Sequence, residues 1–242
     1  MGEYYDWVNV DRKEYICPSD FDFGNKLLES SAPHNTFLCA FRELLANEWS
    51  GSHVLFLGDS QTLTRDEDNI TLKTLYDHSV KSGYEGFGID TVEENYMNIS
   101  GWFLSAEKKV RREIEFYVRD VNNGEPNAFN EYRVDSNDPY TGLFTRTGKD
   151  FKYTLNHTKK QYYSIEDTII NIPRIGVIYD QDKPEEKRFS KPSKEFKPSV
   201  DPLPYLLRHG YDGIGEWVGD IVGVSDVVPK EYILMKEITI DC

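Results

Sequence analysis

The sequence is poor in cysteine and contains no long apolar run. Its three cysteines, Cys17, Cys39 and Cys242, are an odd number and show no Cys-x-x-Cys spacing, which argues against a disulfide framework and against a structural zinc site. Nowhere do about 18 apolar residues stand in succession, and residues 1–10 lack the apolar centre of a secretion signal. We therefore expect no membrane association and a cytoplasmic location.

Recognisable catalytic and metal-binding motifs are missing as well. The five histidines form neither His-x-His nor His-Glu-x-x-His, and the chain has no phosphate-binding loop and no Gly-x-Ser-x-Gly turn. The acidic clusters lack the glycine and glutamate spacing of an EF-hand, although the sequence leaves calcium binding by them open. We predict no cofactor and no metal site, and the sequence does not decide whether any catalysis occurs.

Acidic residues clearly outnumber basic residues in the chain. The 242 residues include 42 Asp and Glu against 28 Lys and Arg, which gives a formal net charge of −14 and a pI near 4.8. A field of this sign repels phosphate backbones and disfavours nucleic acid as a partner. It favours a protein partner that is basic.

What the chain does have is an aromatic-rich mixture of strand and helix patterns. Aromatic residues make up 14% of it, with 16 Tyr and 13 Phe, and rings of this kind pack well in strands. Alternating large and polar residues over 4–16 predict a hairpin with Asp11 near its turn. Apolar residues at helical spacing predict helices over 36–49 and 70–82. We predict an α+β fold with mostly antiparallel sheet and few helices.

Two parts of the chain repeat the same features in the same order. Glu-Trp-x-Gly occurs at Glu48–Gly51 and again at Glu216–Gly219, each time after a leucine-bearing helix and before an apolar strand. Upstream, Thr154–Tyr163 aligns with Trp7–Ile16 without a gap. These matches predict an internal duplication of a hairpin-helix-strand unit. Convergent strand and turn sequences are the alternative.

The duplication suggests a domain organisation. The predicted boundaries are a first α+β repeat with an extra helix and strands over 1–120, a loop-rich connection over 121–150, and a second α+β repeat over 151–242. The second repeat carries a Lys/Pro-rich insertion at 181–200, which has no apolar periodicity and is typical of an exposed segment.

The opening stretch "MGEYYDWVNVDRKEYICPSDFDFGNKLLES", together with "EWSGSHVLFLGD", resembles a broad group of uncharacterised bacterial proteins. That group begins Met-Gly-x-Tyr-Tyr-x-x-Val-Asn-x-Asp-Lys-Lys-Glu-Tyr and has a later Trp-x-Gly-Asp followed by an apolar strand. The resemblance covers about the first 60 residues. It departs at Ser52, where the group tends to have Asp, and Asp220 restores the Asp in the second copy. The resemblance implies kinship and carries over no activity.

The polar residues shared by the two copies are the candidate site. We expect them to face one another across a cleft between the repeats, with the two tryptophans as its floor. The candidate residues are Asn9, Lys13, Tyr15, Trp49, Asp59, Asn156, Lys160, Tyr162, Trp217 and Asp220. The competing interpretation is structural: each asparagine bonds its own hairpin turn, and each tryptophan anchors a helix to the sheet.

Two functions from different classes fit these patterns. The first is a non-enzymatic, acidic interaction protein that binds a macromolecular partner, for example as a bacterial or phage immunity, antitoxin or anti-defence factor. The second is an enzyme acting on a nucleotide or other small molecule in the cleft between the repeats. Salt-sensitive binding of a basic partner favours the first, and a closed pocket between the repeats favours the second. The sequence does not determine the oligomeric state.

Overall fold

A computed structural model describes residues 3–21, 24, 26–33, 35–103, 151–171, 200–211 and 213–240 of the chain, together with the backbone of two short strands at 177–178 and 188–189. The predicted connection at 121–150 and most of the predicted insertion at 181–200 lie outside the described residues. Cys242 also lies outside them.

Five α-helices and fourteen strands occur in the described residues. The helices are α1 (Leu27–Ser30), α2 (Thr36–Ala46), α3 (Ile70–Lys81), α4 (Gly88–Asn95) and α5 (Leu203–Leu207), with short 3-10 turns at Pro18–Phe21 and Ser100–Trp102. The strands of the first part are β1 (Tyr5–Asn9), β2 (Glu14–Ile16), β3 (Val54–Gly58) and β4 (Met97–Asn98). Those of the second part are β5 (Tyr153–Asn156), β6 (Gln161–Tyr163), β7 (Ile169–Asn171), β8 (Val177–Ile178), β9 (Arg188–Phe189), β10 (Arg208–Gly210), β11 (Gly213–Ile214), β12 (Val222–Ser225), β13 (Ile233–Leu234) and β14 (Glu237–Thr239). This mixture confirms the α+β class.

Two sheets carry the fold. The larger has the strand order β11-β10-β3-β1-β2-β4 and the smaller β12-β5-β6-β13, while β14-β7 and β8-β9 form separate pairs. Six of the ten strand pairings in the described part of the chain are antiparallel. The parallel pairings join β10 to β3, β13 to β6, β14 to β7 and β4 to β2. Each hairpin, β1–β2 or β5–β6, therefore has an antiparallel neighbour on one side and a parallel neighbour on the other.

The two predicted helices form, and side chains define where they begin. Asn35 precedes α2, and its Oδ1 accepts a 2.7 Å hydrogen bond from the Leu38 N–H. Asn69 does the same for α3 through the Thr71 and Leu72 N–H groups. Such caps satisfy the donors that the first turn of a helix leaves unpaired. Gly83, with φ of 85°, lies just beyond α3, where a left-handed residue commonly ends a helix.

No helix in the described ranges combines the length and the apolar composition that crossing a lipid bilayer requires.

The larger hydrophobic core draws on both predicted repeats. Trp7 stacks on Phe41 with ring centroids 3.8 Å apart, and the same cluster contains Tyr163 and Trp217. The helix α2 packs against β12, while α5 packs against β3. Each helix thus covers a strand that belongs to the other repeat. A smaller core lies between the opposite face of the larger sheet and the helices α3 and α4.

The predicted repeats meet where β3 and β12 begin. His53 and Ile221 form an isolated antiparallel bridge. The Val54 N–H donates to the Asp220 carbonyl at 3.4 Å, and the Gly219 N–H donates to the Val54 carbonyl at 3.2 Å. Backbone hydrogen bonds therefore close this junction.

Candidate functional site

The first candidate residues, two asparagines and two lysines, shape the hairpin turns. Asn9 accepts at Oδ1 from the Arg12 N–H at 3.0 Å, and Asn156 accepts at Oδ1 from the Lys159 N–H at 2.8 Å. Lys13 and Lys160 follow with φ of 55° and 53°, a left-handed conformation that non-glycine residues seldom adopt. Both turns therefore have the same local geometry, with the asparagines fully buried.

The two tryptophans tie the Glu-Trp-x-Gly turns to the hairpins. Nε1 of Trp49 donates to Oε2 of Glu14 at 2.8 Å, and Nε1 of Trp217 donates to Oε1 of Gln161 at 3.2 Å. Both indoles are fully buried in the larger core. Neither therefore presents a ring face to solvent on which a ligand could rest.

The second turn has a polar contact that the first lacks. Oδ2 of Asp220 accepts from Nδ2 of Asn156 at 2.7 Å and from Nζ of Lys159 at 2.6 Å. Ser52 takes the place of Asp220 in the first half, and Nδ2 of Asn9 is buried there with no hydrogen-bond partner in the described residues. The difference between Ser52 and Asp220 in the sequence therefore changes how well the turn asparagine is hydrogen-bonded.

The remaining candidates lie apart. Tyr15 is buried in the smaller core, whereas Tyr162 is half-buried with its ring edge-on to Tyr153 at 5.6 Å. Asp59 is exposed just beyond the end of β3. Within the described ranges, no hydrogen bond joins a candidate residue of one repeat to a candidate residue of the other. The asparagines, lysines, tryptophans and Asp220 therefore form two separate turn networks, and the two tyrosines and Asp59 lie outside them.

Asp59 belongs to an exposed row at one end of the larger sheet. Asp6, Leu57 and His209 are neighbours across β1, β3 and β10. Two residues further towards this end of the sheet come Tyr4, Asp59 and Tyr211, each just outside its strand. The Asp59 N–H donates to the Tyr4 carbonyl at 3.0 Å, so these two residues continue the ladder, and Tyr211 is the first residue after β10. Tyr4 and Tyr211 are 51% and 77% exposed. An exposed carboxylate therefore lies between two exposed tyrosines.

Asp6 is a buried carboxyl group behind that row. It is 4% exposed, and burial is the main cause that raises its pKa to about 7. The negative charges of Glu93, Asp20 and Asp59 add to the rise, and a hydrogen bond with the Cys17 side chain opposes it. Burial, followed by the charge of Asp6, raises the pKa of the Cys17 thiol well above its ordinary value, which disfavours the thiolate form. We call Tyr4, Asp6, Asp59, Glu93 and Tyr211 the acidic end.

Comparison of the chain with models of protein families, with curated proteins and with solved structures finds no match. The chemistry of the acidic end therefore has to be inferred from its own geometry. Among the described side chains, no three His, Cys, Asp or Glu come together as a metal ion would require.

A separate cavity of about 430 Å³ lies between the two predicted repeats. Leu38 and Ile165 contribute apolar wall, and Lys152 and Glu166 lie nearer the solvent. Ligand pockets of about 300–1,000 Å³ are common in proteins.

The base of this cavity holds a buried ion pair. Arg42 Nη2 lies 2.5 Å from Asp201 Oδ2, and both side chains are almost fully buried. Asp201 Oδ1 also accepts from the Tyr163 hydroxyl at 2.6 Å and from the Leu203 N–H at 3.0 Å. Burial, followed by the charge of Asp201, raises the pKa of Tyr163 well above its ordinary value. Arg42 also donates from Nη2 to the Thr154 hydroxyl at 3.3 Å and from Nη1 to the Phe151 carbonyl at 3.4 Å. Hydrogen bonds of this kind are what allow a buried ion pair to be tolerated.

Sequence reasoning missed Glu3, Asp6 and the Arg42–Asp201 pair. Asp6 stands in an alternating strand between two core aromatics, Tyr5 and Trp7, so its side chain had to lie on the opposite face. That alternation was a usable signal for its placement. Its burial depends on α4, whose position the sequence does not give.

Proposed function

We propose that the protein is a non-enzymatic interaction protein whose acidic end binds a basic protein partner. It would act in the cytoplasm of a bacterium, or of a bacterium infected by phage, as an immunity, antitoxin or anti-defence factor. The observation that carries the proposal is the row Tyr4–Asp59–Tyr211, in which an exposed carboxylate is flanked by two exposed rings.

The distribution of charge supports this proposal. Residues 1–103 contain 18 Asp and Glu against 7 Lys and Arg, a difference of −11. Residues 151–242 contain 15 against 13, a difference of −2. The acidic excess is therefore concentrated in the repeat that supplies most of the acidic end. Such a field accelerates the encounter with a basic partner and makes the encounter sensitive to salt.

The chemistry of the exposed rings supports it as well. Tyrosine is enriched at protein interfaces, because its ring buries a large area with little loss of side-chain entropy. Lysine and arginine also bind favourably over aromatic faces. Asp59 between Tyr4 and Tyr211 would pair with such a cation, while the rings cover its aliphatic stem.

We also propose that the chain arose by internal duplication. Five features recur in the same order: the turn asparagine, the left-handed lysine, the indole hydrogen bond, the antiparallel neighbour and the parallel neighbour. The glycines of the two Glu-Trp-x-Gly turns, Gly51 and Gly219, add φ values of 75° and 74°. Convergence would not require all of these to coincide.

The interaction proposal is tested with a labelled peptide of alternating lysine and leucine, compared with its glutamate counterpart by fluorescence anisotropy. We expect the lysine peptide to bind and the glutamate peptide not to bind. We expect affinity to fall when salt rises from about 0.05 to 0.3 M, since screening shortens the range of the attraction. Asp59→Asn and Tyr211→Ala should each weaken binding by about five-fold, equivalent to ~1 kcal/mol.

Matched controls separate a defined site from general charge attraction. Asp68→Asn removes the same charge from an exposed position elsewhere, and Ile70→Ala removes a side chain that is 61% exposed. Both controls should change affinity by less than about two-fold. Equal weakening by the controls, or binding indifferent to salt, would show that the acidic end is not a docking site.

The alternative is an enzyme that acts on a nucleotide or other small molecule between the repeats. The 430 Å³ cavity above the Arg42–Asp201 pair is the observation that favours it. Thermal unfolding in the presence of ATP, GTP or NAD would test it, because a bound ligand raises the melting temperature. Cys39→Phe, which fills the cavity, should abolish any such rise. No rise with any of the three nucleotides would count against a nucleotide substrate.

A further inference from the structure

The carboxylate of Glu3 lies at the carboxyl ends of two parallel strands. Both of its oxygens accept from the Tyr211 N–H, Oε1 at 2.9 Å and Oε2 at 2.8 Å. Oε1 also accepts from the Ser60 N–H at 3.3 Å, and Oε2 accepts from the Tyr5 hydroxyl. Three donors from three separate segments thus converge on one carboxylate.

Two glycines make room for this group. Gly58 ends β3 and Gly210 ends β10, and the register of these strands makes the two glycines neighbours. A Cβ atom at Gly58 would collide with Oε1 of Glu3, and one at Gly210 would lie 2.5 Å from Oε2. Both contacts are closer than real Cβ atoms allow. The missing side chains therefore leave a notch in which the Glu3 carboxylate fits, and a Cβ atom at either position would displace it.

The notch binds its anion with hydrogen-bond donors alone. Among the described residues, no lysine or arginine forms an ion pair with Glu3. Two of the donors are backbone N–H groups fixed by the sheet, and the third is the hydroxyl of Tyr5, a side chain only 1% exposed. Converging backbone N–H groups form anion-binding concavities in many proteins. The crevice beyond the carboxyl ends of parallel strands is also a common ligand site.

We propose that this notch is a carboxylate-binding site that Glu3 fills from within the chain. A carboxylate supplied from outside, either a small free acid or the C-terminus of a peptide, takes the same donors when Glu3 leaves. Glu3 is thus a tethered competitor for the site. The notch and the acidic end share Tyr211, but the notch uses only its backbone N–H, while Glu3 and the two glycines lie on the opposite face of the sheet. Failure of the acidic end as a docking site would therefore leave this proposal standing.

The surroundings select for a single negative charge. Asp59 is next to the donor Ser60 in sequence, and its carboxylate accepts from the Tyr4 N–H and from the Ser60 hydroxyl. A phosphate dianion would meet more repulsion here than a carboxylate, and in the part of the chain that the structure describes no Lys or Arg forms an ion pair with Glu3 or Asp59. Planar carboxylates also match the two-oxygen geometry at the Tyr211 N–H. We therefore expect carboxylates to bind in preference to inorganic phosphate.

The test follows the amide signals of Ser60 and Tyr211 by NMR in Glu3→Ala. Both signals should move when the native acceptor is lost, and added acetate should move them back with saturation in the millimolar range. The native protein should need at least about ten-fold more acetate, because a short tether gives Glu3 a millimolar or higher effective concentration. Inorganic phosphate should bind Glu3→Ala more weakly than acetate.

Further experiments show whether a free acid or the C-terminus of a peptide supplies the carboxylate, and two more variants serve as controls. A short peptide with a free C-terminus, compared with the same peptide amidated, shows whether a chain terminus can enter. Binding of the acid and not of the amide is expected. Glu94→Ala, at an exposed position on α4, should leave both signals unchanged. Glu3→Gln, which retains the size of the side chain, serves as a second variant and should also admit acetate more readily than the native protein.

Two results would overturn the proposal. One is that the Ser60 and Tyr211 amides do not move in Glu3→Ala, which would mean that Glu3 does not bind there. The other is that acetate produces no saturable shift in either Glu3 variant, which would mean that the notch holds only its own tethered side chain.

Discussion

Asp220 accepts a 2.7 Å hydrogen bond from Nδ2 of Asn156, and this contact distinguishes the second hairpin turn from the first. In the first turn Ser52 stands in the corresponding place, and Nδ2 of Asn9 has no partner in the described part of the chain. A buried donor without an acceptor is costly, because it has lost its hydrogen bonds to water. The two turns therefore have the same shape and differ in how well their polar groups are satisfied.

The first prediction exchanges these residues. Asp220→Ser should lower the free energy of unfolding by about 1–3 kcal/mol, because it leaves Nδ2 of Asn156 unpaired and removes the Lys159 ion pair. Urea denaturation measures the change. Ser52→Asp is the reciprocal variant and gives Asn9 an acceptor, so the free energy of unfolding should stay the same or rise. An equally large loss in both variants would show that the two turns are not comparable.

The second prediction concerns the buried indole N–H of Trp49. Glu14→Gln should lower the free energy of unfolding by no more than about 1 kcal/mol, since Gln161 already accepts from Trp217 in the other half and the Arg12–Glu14 ion pair that it removes is partly exposed. Glu14→Leu should lower it by about 1–3 kcal/mol, because Nε1 of Trp49 would lose its acceptor in the core. The difference between the urea midpoints of the two variants is the measurement. Similar midpoints would mean that the Glu14 contact contributes little.

The third prediction concerns pH. The pKa of Asp6 is about 7 in the folded protein and 3.8 ordinarily, so the folded state holds this proton more tightly. The contribution of this proton to the free energy of unfolding is fully present below pH 4 and is lost as the pH rises to about 7. Asp6→Asn should therefore be more stable than the native protein at pH 8, by up to about 4 kcal/mol, and closer to it at pH 5.

Chemical denaturation at pH 5 and pH 8 tests this, with Asp77→Asn as the control. Its neighbour Lys73 lowers the pKa of Asp77, so neutralising Asp77 should not produce a gain between the two pH values. If Asp6→Asn gave no larger advantage at pH 8 than at pH 5, Asp6 would not be a buried acid.

The fourth prediction uses the left-handed backbone of Lys160. Asn tolerates this conformation and Val does not, so Lys160→Val should be less stable than Lys160→Asn by about 1–2 kcal/mol. Lys152 is exposed next to β5 and is not among the residues with positive φ. The corresponding pair Lys152→Val and Lys152→Asn should not show this preference for Asn. Differential scanning calorimetry of the four variants provides the comparison.

Short sequence patterns predicted the helices and the hairpin that neighbouring residues alone determine. The helix Ile70–Lys81 follows from the spacing of its apolar residues and its Asn69 cap, and the first hairpin follows from alternation around Asp11. The helix Gly88–Asn95 could not be predicted in the same way, because it is short and begins in a glycine-rich stretch that is typical of a loop. The strand Arg208–Gly210 follows α5 without a connecting loop, and its pairing with β3 is long-range.

In the candidate site, too, the features set by neighbouring residues were predictable and those set by long-range packing were not. Asn9 and Asn156 bond their own turns, in agreement with the structural interpretation that their sequence context offered. The carboxyl group of Asp6, the notch around Glu3 and the Arg42–Asp201 pair exist only because distant segments pack together. Their residue types are ordinary in the sequence, and their burial is decided by tertiary packing.

The crossing of α2 onto β12 and of α5 onto β3 also bears on synthesis of the chain. Arg42 and Asp201 are 159 residues apart in sequence, and β3 receives its parallel neighbour β10 only after residue 208 has been made. On the ribosome, the part of the chain up to residue 103 would wait with one edge of its sheet open and with α2 uncovered by β12. Long-range closure of this kind is slow compared with the formation of helices and hairpins. Nascent chains therefore carry an unpaired strand edge through most of translation, and this interval is when a chaperone would have most to protect.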